Sequence, residues 1–185
     1  MSHTIDVPLA APVAALPFAR LVSALGGLLG FGCAAALTVP EPAFVAQASG
    51  SALFSVVGAA VLTTPPLLVA HQVARLQAPI EDVVAAVSRG LIRAGGLAAG
   101  FAPAVLWLSL TSGLAWVVYP TLLAVCGAFA AFGAIDELVA AERRQDRPTA
   151  LVRAGQMGLV AFGWCVLAGL VALRLFVGLF ASLLS

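Results

Sequence analysis

Residues 94–135 read AGGLAAGFAPAVLWLSLTSGLAWVVYPTLLAVCGAFAAFGAI, 42 positions without a charged side chain. As one helix this stretch would be roughly 60 Å long, about twice the hydrocarbon thickness of a bilayer. Two helices joined by a tight turn fit it better, and turn-forming Thr111-Ser112-Gly113 stands near its middle. The stretch therefore reads as a transmembrane hairpin, with spans at about 94–110 and 114–135. Trp107 on one side of the turn, and Trp116 and Tyr119 on the other, are expected to form an interfacial aromatic belt.

Composition agrees with the hairpin. Hydrophobic residues make up 62% of the chain and charged residues 9%, whereas a soluble domain carries about 25% charged residues. So little polar surface does not cover a water-soluble core of this size. The fold class that follows is all-α, a polytopic transmembrane helix bundle of about five spans forming a single integral membrane domain over residues 1–185. The net charge of +1 leaves no basic footprint for nucleic acid. Cys33, Cys126 and Cys165 each lie alone in an apolar run, which excludes the usual zinc spacings and leaves them as small buried hydrophobes. All nine basic residues are arginine. With the heavy use of Ala, Gly, Leu and Val, that bias suggests GC-rich coding and a bacterial source.

Outward from the hairpin, the remaining spans follow from where charges stop and return. Residues 1–17 have no basic residue and carry Pro8, Pro12 and Pro17, so they read as a short tail rather than a secretory leader. A first span at about 21–39 is stopped by Pro40 and Pro42. Although Ala46-Gln47-Ala48 mimics a signal-peptidase site, the apolar run before it is too long for a leader, and the span is expected to be retained. Within it, Gly26 and Gly30 form a G-x-x-x-G pair, a helix-packing signal.

Residues 40–50 read as a short loop before a second span at about 51–72. That span contains Thr63-Thr64-Pro65-Pro66, whose two prolines free the carbonyls of Val61 and Leu62 at membrane depth. The break either kinks the helix to fit its neighbours or lines a transport pathway.

After His71 the charges return. Residues 79–93, opened by Pro79 with Glu81 and Asp82 in the first turn, place Val83, Val84, Val87 and Leu91 on one face. We read this segment as an interfacial amphipathic helix between spans 2 and 3, free to dock a cytoplasmic partner. The fourth span closes at Asp136 and Glu137 and continues in polar form through Glu142, Arg143 and Arg144 to a turn at 145–148. The fifth occupies about 154–173, and residues 174–185 either lie at the interface or extend it.

Eight of the nine arginines fall before span 1 or in the 72–93 and 136–153 connections. The positive-inside rule then places the amino terminus in the cytoplasm and, after five crossings, the carboxyl terminus outside a bacterial inner membrane. Arg174 is the exception and is expected to snorkel or to meet an acceptor. An internal echo, Leu91-Ile92-Arg93-Ala94-Gly95 and Leu151-Val152-Arg153-Ala154-Gly155, opens spans 3 and 5 alike. It marks either a duplicated hairpin or coincidence in a chain rich in these residues.

No catalytic, cofactor-binding or metal-binding motif is legible. Phosphate-binding, nucleophile-elbow and zincin patterns are missing from the sequence, and two histidines, His3 and His71, do not provide a pair of membrane haem ligands within one chain. The ionisable candidates are His71, Asp136, Glu137 and Arg174; Asp136 and Glu137, with Arg143 and Arg144 one to two turns on, read either as a gate or proton-linked carboxylate site or as the point where a helix leaves the lipid. The expected function is a non-catalytic subunit or scaffold of a larger membrane complex, held in lipid and packed against further membrane subunits, its own copies or others. The alternative is a small homo-oligomeric transporter or channel with residues 63–66 on its pathway.

Overall fold

The structure, a computed structural model, describes residues 18–39, 41–112, 114–144 and 150–181. The expected tail over 1–17, Pro40, Gly113 of the hairpin turn, the 145–148 turn and residues 182–185 lie outside the described residues. The chain is an all-α bundle of five helices: α1 (Phe18–Ala36), α2 (Pro42–Val73), α3 (Ile80–Thr111), α4 (Ala115–Arg143) and α5 (Ala150–Ala181). Each is long and apolar enough to cross a membrane. The hairpin turn falls where the sequence places it, with α3 ending at Thr111 and α4 beginning at Ala115.

The helices close a ring in the order α1, α3, α4, α5, α2 and back to α1. Although joined in sequence, α2 and α3 touch little, so their connection crosses one end of the bundle. At this end lie the starts of α1, α3 and α5, the ends of α2 and α4, and all the described arginines except Arg174. We call it the basic end.

The elements differ from the sequence reading at three places. Residues 79–93 do not form a separate interfacial helix; they are the first half of α3, which runs unbroken to Thr111. Their apolar stripe is a packing face: Val83 and Ala86 are buried with Leu67, Leu138 and Met157, and Gly90 lies against Ala130 of α4. Residues 42–50 are helical rather than loop, because Pro42 suits a first helical turn and Glu41 supplies the extended residue before it. Residues 174–181 continue α5 as an extension of the span. At 32 residues each, α2, α3 and α5 reach about 48 Å and must tilt or project beyond the hydrocarbon.

Between helices in lipid the hydrophobic effect is largely absent, and close approach of backbones replaces it. Two seams show this. Gly27 of α1 and Gly95 of α3 face each other across a contact so tight that a Cβ on Gly27 would strike the Gly95 carbonyl, and one on Gly95 would strike the backbone of Ala24. Gly32 meets α2, where an added Cβ would lie 2.6 Å from the Ala48 carbonyl oxygen. Larger side chains fill the rest in two clusters. One holds Leu28, Phe31, Val105 and Tyr119 towards the end opposite the arginines; the other holds Leu67, Val83, Leu138 and Met157 near the basic end.

Candidate functional site

The polar groups of the bundle form three clamps and leave several open faces. The first clamp is at the basic end. α2 stops because Arg75 adopts a left-handed conformation (φ 52°), letting the Leu76 N–H donate to the His71 carbonyl and the Arg75 N–H to the Gln72 carbonyl. The chain then turns beneath α4, whose fully buried Glu142 carboxylate accepts the Gln77 N–H at 3.1 Å from each oxygen and the Ala78 N–H at 2.8 Å. Glu142 thus acts as the acceptor for a loop whose buried amides have no helix to join. His71 is buried beside this loop, and its Nε2 has no hydrogen-bond partner among the described residues.

The second clamp joins α3 to α4. Glu137 receives Arg93 Nη2 at 2.7 Å and also pairs with Arg89 Nε. The Arg93 guanidinium lies over Gly133, where even a methyl group would displace it. Both arginines are half exposed, so the pairing adds little stability. Glu137 therefore faces α3 rather than Arg143 and Arg144, and its neighbour Asp136 is exposed.

The third clamp lies in the other half of the bundle. Tyr119 is fully buried; its hydroxyl donates to the Ala48 carbonyl at 2.8 Å and stands 3.0 Å from the Ser51 hydroxyl, which also reaches Ala48. Its ring stacks on Phe31 at 5.3 Å. Tyr119 consequently belongs to the core rather than to an aromatic belt, whereas Trp107 is exposed. The Ser109 hydroxyl ties α3 to α1 through the Ala34 carbonyl at 3.0 Å.

The Thr63–Pro66 stretch does not interrupt α2. The Thr63 and Thr64 hydroxyls donate to the carbonyls of Ala59 and Ala60 at 2.7 and 2.6 Å, each two residues before a carbonyl that the prolines free. Thr63 is buried, while Pro65 and Pro66 face outward together with Val61 and Leu62. Arg174 is exposed on α5, close to the end opposite the other arginines. Gly26 and Gly30, the G-x-x-x-G pair, also face outward, with nothing that an added Cβ would touch.

A cavity of about 460 Å³ lies between α2, α3, α4 and α5, with an almost wholly apolar lining. Among the described residues no three His, Cys, Asp or Glu side chains gather closely enough to hold a metal ion.

Sequence reasoning missed Glu142, Tyr119 with Ser51, and the Gly27–Gly95 seam. Helical period was the available signal. Tyr119, Leu123, Cys126, Ala130, Ala134, Leu138 and Ala141 form one buried stripe along α4, and continuing it by one residue reaches Glu142. No protein-family model, no curated protein and no solved structure matches this chain.

Proposed function

We propose that the chain is a non-catalytic subunit of a larger bacterial inner-membrane assembly, binding partner helices through faces its own fold leaves open. One observation carries this reading. α1 has glycines on two sides: Gly27 and Gly32 are consumed in tight contacts with α3 and α2, while Gly26 and Gly30 project outward into open space. A glycine inside a helix costs about 1 kcal/mol relative to alanine. The inward pair recovers that cost through backbone contact; the outward pair recovers it on meeting another helix. α5 supports the same reading, since only 6% of its most apolar stretch is buried, against 39% for α1.

The clustering of arginines at one end favours a cytoplasmic location for that end, with the carboxyl terminus on the far side. Transport along residues 63–66 is the weaker reading: Pro65 and Pro66 are exposed on the outside of α2, away from the cavity. The test is co-purification in mild detergent of the native chain and a Gly26→Leu/Gly30→Leu variant. The open surroundings let that variant fold, and a stoichiometric partner, or a second copy of the chain, should be lost from it. A native chain that elutes as a lone monomer, or a partner retained by the variant, refutes the reading.

A further inference from the structure

We propose that the cavity between α2, α3, α4 and α5 is a binding site for a single flexible hydrocarbon chain, the acyl or isoprenoid tail of a membrane lipid. Its dimensions come from a mismatch within the fold. On α4 the wall includes the small residues Ala124, Gly127 and Ala131 beside Pro120, and α5 opposes it with Ala168 and Gly169 among larger side chains. Two such small-residue faces ordinarily let helices close on one another. Here α5 is held off at both ends. The Phe176 ring sits against Tyr119 at 5.7 Å, and at the basic end Met157 packs with Leu138. Between these spacers the helices meet at Cys165, whose thiol lies 3.9 Å from the Ala131 carbonyl, and the space around that contact stays open.

The chemistry of the lining selects the occupant. A buried water needs two to four polar partners, and an apolar void of about 150 Å³ stays dry and takes up benzene instead. The cavity measures about 460 Å³. The Ser55 hydroxyl on its wall already donates to the Ala52 carbonyl at 3.2 Å, and the one buried donor left without a partner among the described lining residues, the Trp164 Nε1–H, falls short of the two to four partners a water needs. At roughly 30 Å³ per water-sized group, the volume takes a chain of about fifteen such groups, the scale of a lipid tail. Access is lateral. Phe132, Phe162 and Leu173 line the cavity yet are 60–65% exposed, so its mouth opens on the outer surface of the bundle, where the lipid is. This inference stands independently of the subunit reading.

Trp164, on the cavity wall, provides the reporter. Replacing Trp107 and Trp116 with phenylalanine leaves it as the single tryptophan of the chain. The full chain is reconstituted in vesicles of phosphatidylglycerol and phosphatidylcholine brominated at mid-chain. Quenching of Trp164 should fall at least twofold when Ala131→Leu and Ala168→Leu fill the cavity, with helicity and melting temperature maintained. If that pair fails to fold, Ala124→Leu fills the same space from α4 and must give the same fall. Equal quenching in open and filled folded forms overturns the proposal, as does strong quenching by aqueous acrylamide, which would mean a wet cavity. Mass analysis of the detergent-extracted chain separates the two sources: a phospholipid or an isoprenoid lipid should accompany the open form at about one per chain and be lost from the filled form. Retention of either at equal amount in both forms also overturns the proposal.

Discussion

Glu142→Ala removes the acceptor on which the α2–α3 connection depends. Two backbone amides, those of Gln77 and Ala78, lose their partner, and the Ala78 contact is buried while that of Gln77 is partly so. An amide stranded in the interior costs about 1–3 kcal/mol. Placing Ala78 near the top of that range and Gln77 near the bottom gives a loss of about 3–4 kcal/mol. Glu142→Gln keeps one carbonyl oxygen in place and avoids burying a charge, so it should cost about half as much. Unfolding in mixed micelles of mild detergent and dodecyl sulfate, followed by circular dichroism, measures both losses. Amide exchange adds a local readout: protection at Gln77 and Ala78 should fall in the alanine variant before that of the α4 core does. A Glu142→Ala variant within about 0.5 kcal/mol of the native chain, the range of an ordinary surface substitution, would refute the clamp. So would a glutamine variant less stable than the alanine one.

Three further outcomes are expected from the same measurement. Gly95→Ala should destabilise by more than 2 kcal/mol (order of magnitude ~3) because its new methyl meets the Ala24 backbone, whereas Gly96→Ala, with nothing in reach, should stabilise by up to about 1 kcal/mol. Tyr119→Phe keeps the stacking on Phe31 but removes the hydroxyl's bonds to Ala48 and Ser51, for a loss of about 1 kcal/mol; Ser51→Ala should cost no more, because in either variant the remaining hydroxyl still serves the Ala48 carbonyl. Arg75→Gly relieves a left-handed conformation at the α2 terminus and should stabilise by about 1 kcal/mol.

How far the sequence was legible depends on the length of the signal. The uncharged runs and the Thr111–Gly113 punctuation placed five helices in a single pass, because lipid tolerates spanning backbone only when a helix satisfies it. Where amphipathicity alone was used, the reading failed. The apolar stripe of 79–93 has the same spacing whether it meets lipid or a neighbouring helix, and the structure gives it α4 and the buried residues near the basic end. The G-x-x-x-G pattern does not mark the seam within the chain. Spacing selects Gly26 and Gly30, but the buried face of α1 is defined by Ala24, Leu28, Phe31 and Ala35, and Gly27 lies on that side. The echo between Leu91–Gly95 and Leu151–Gly155 dissolves on the same ground. Gly95 is jammed against Ala24, and Gly155 touches nothing, so the repeated letters occupy unlike positions in the packing. Glu142 stayed hidden because it is followed by Arg143 and Arg144, a context that reads as solvated.

The distribution of these contacts makes α5 different from its neighbours. Glycine seams and hydroxyl bonds fasten α1 to α2 and α3, and the carboxylates of Glu137 and Glu142 fasten α4 to α3 and to the connection before it. Towards α5 the packing changes character. Met157 and Ala161 anchor it at the basic end and Phe176 near the other, with the Cys165 thiol 3.9 Å from the Ala131 carbonyl between them. Apolar side chains meeting in lipid gain only the difference between one apolar neighbour and another. A helix held mainly in this way owes its distance from α4 to the size of its end spacers and to whatever fills the gap. In this architecture the contents of the cavity and the position of α5 are therefore two aspects of one equilibrium. The open glycines Gly163 and Gly169 of α5 lie along the segment that equilibrium would move.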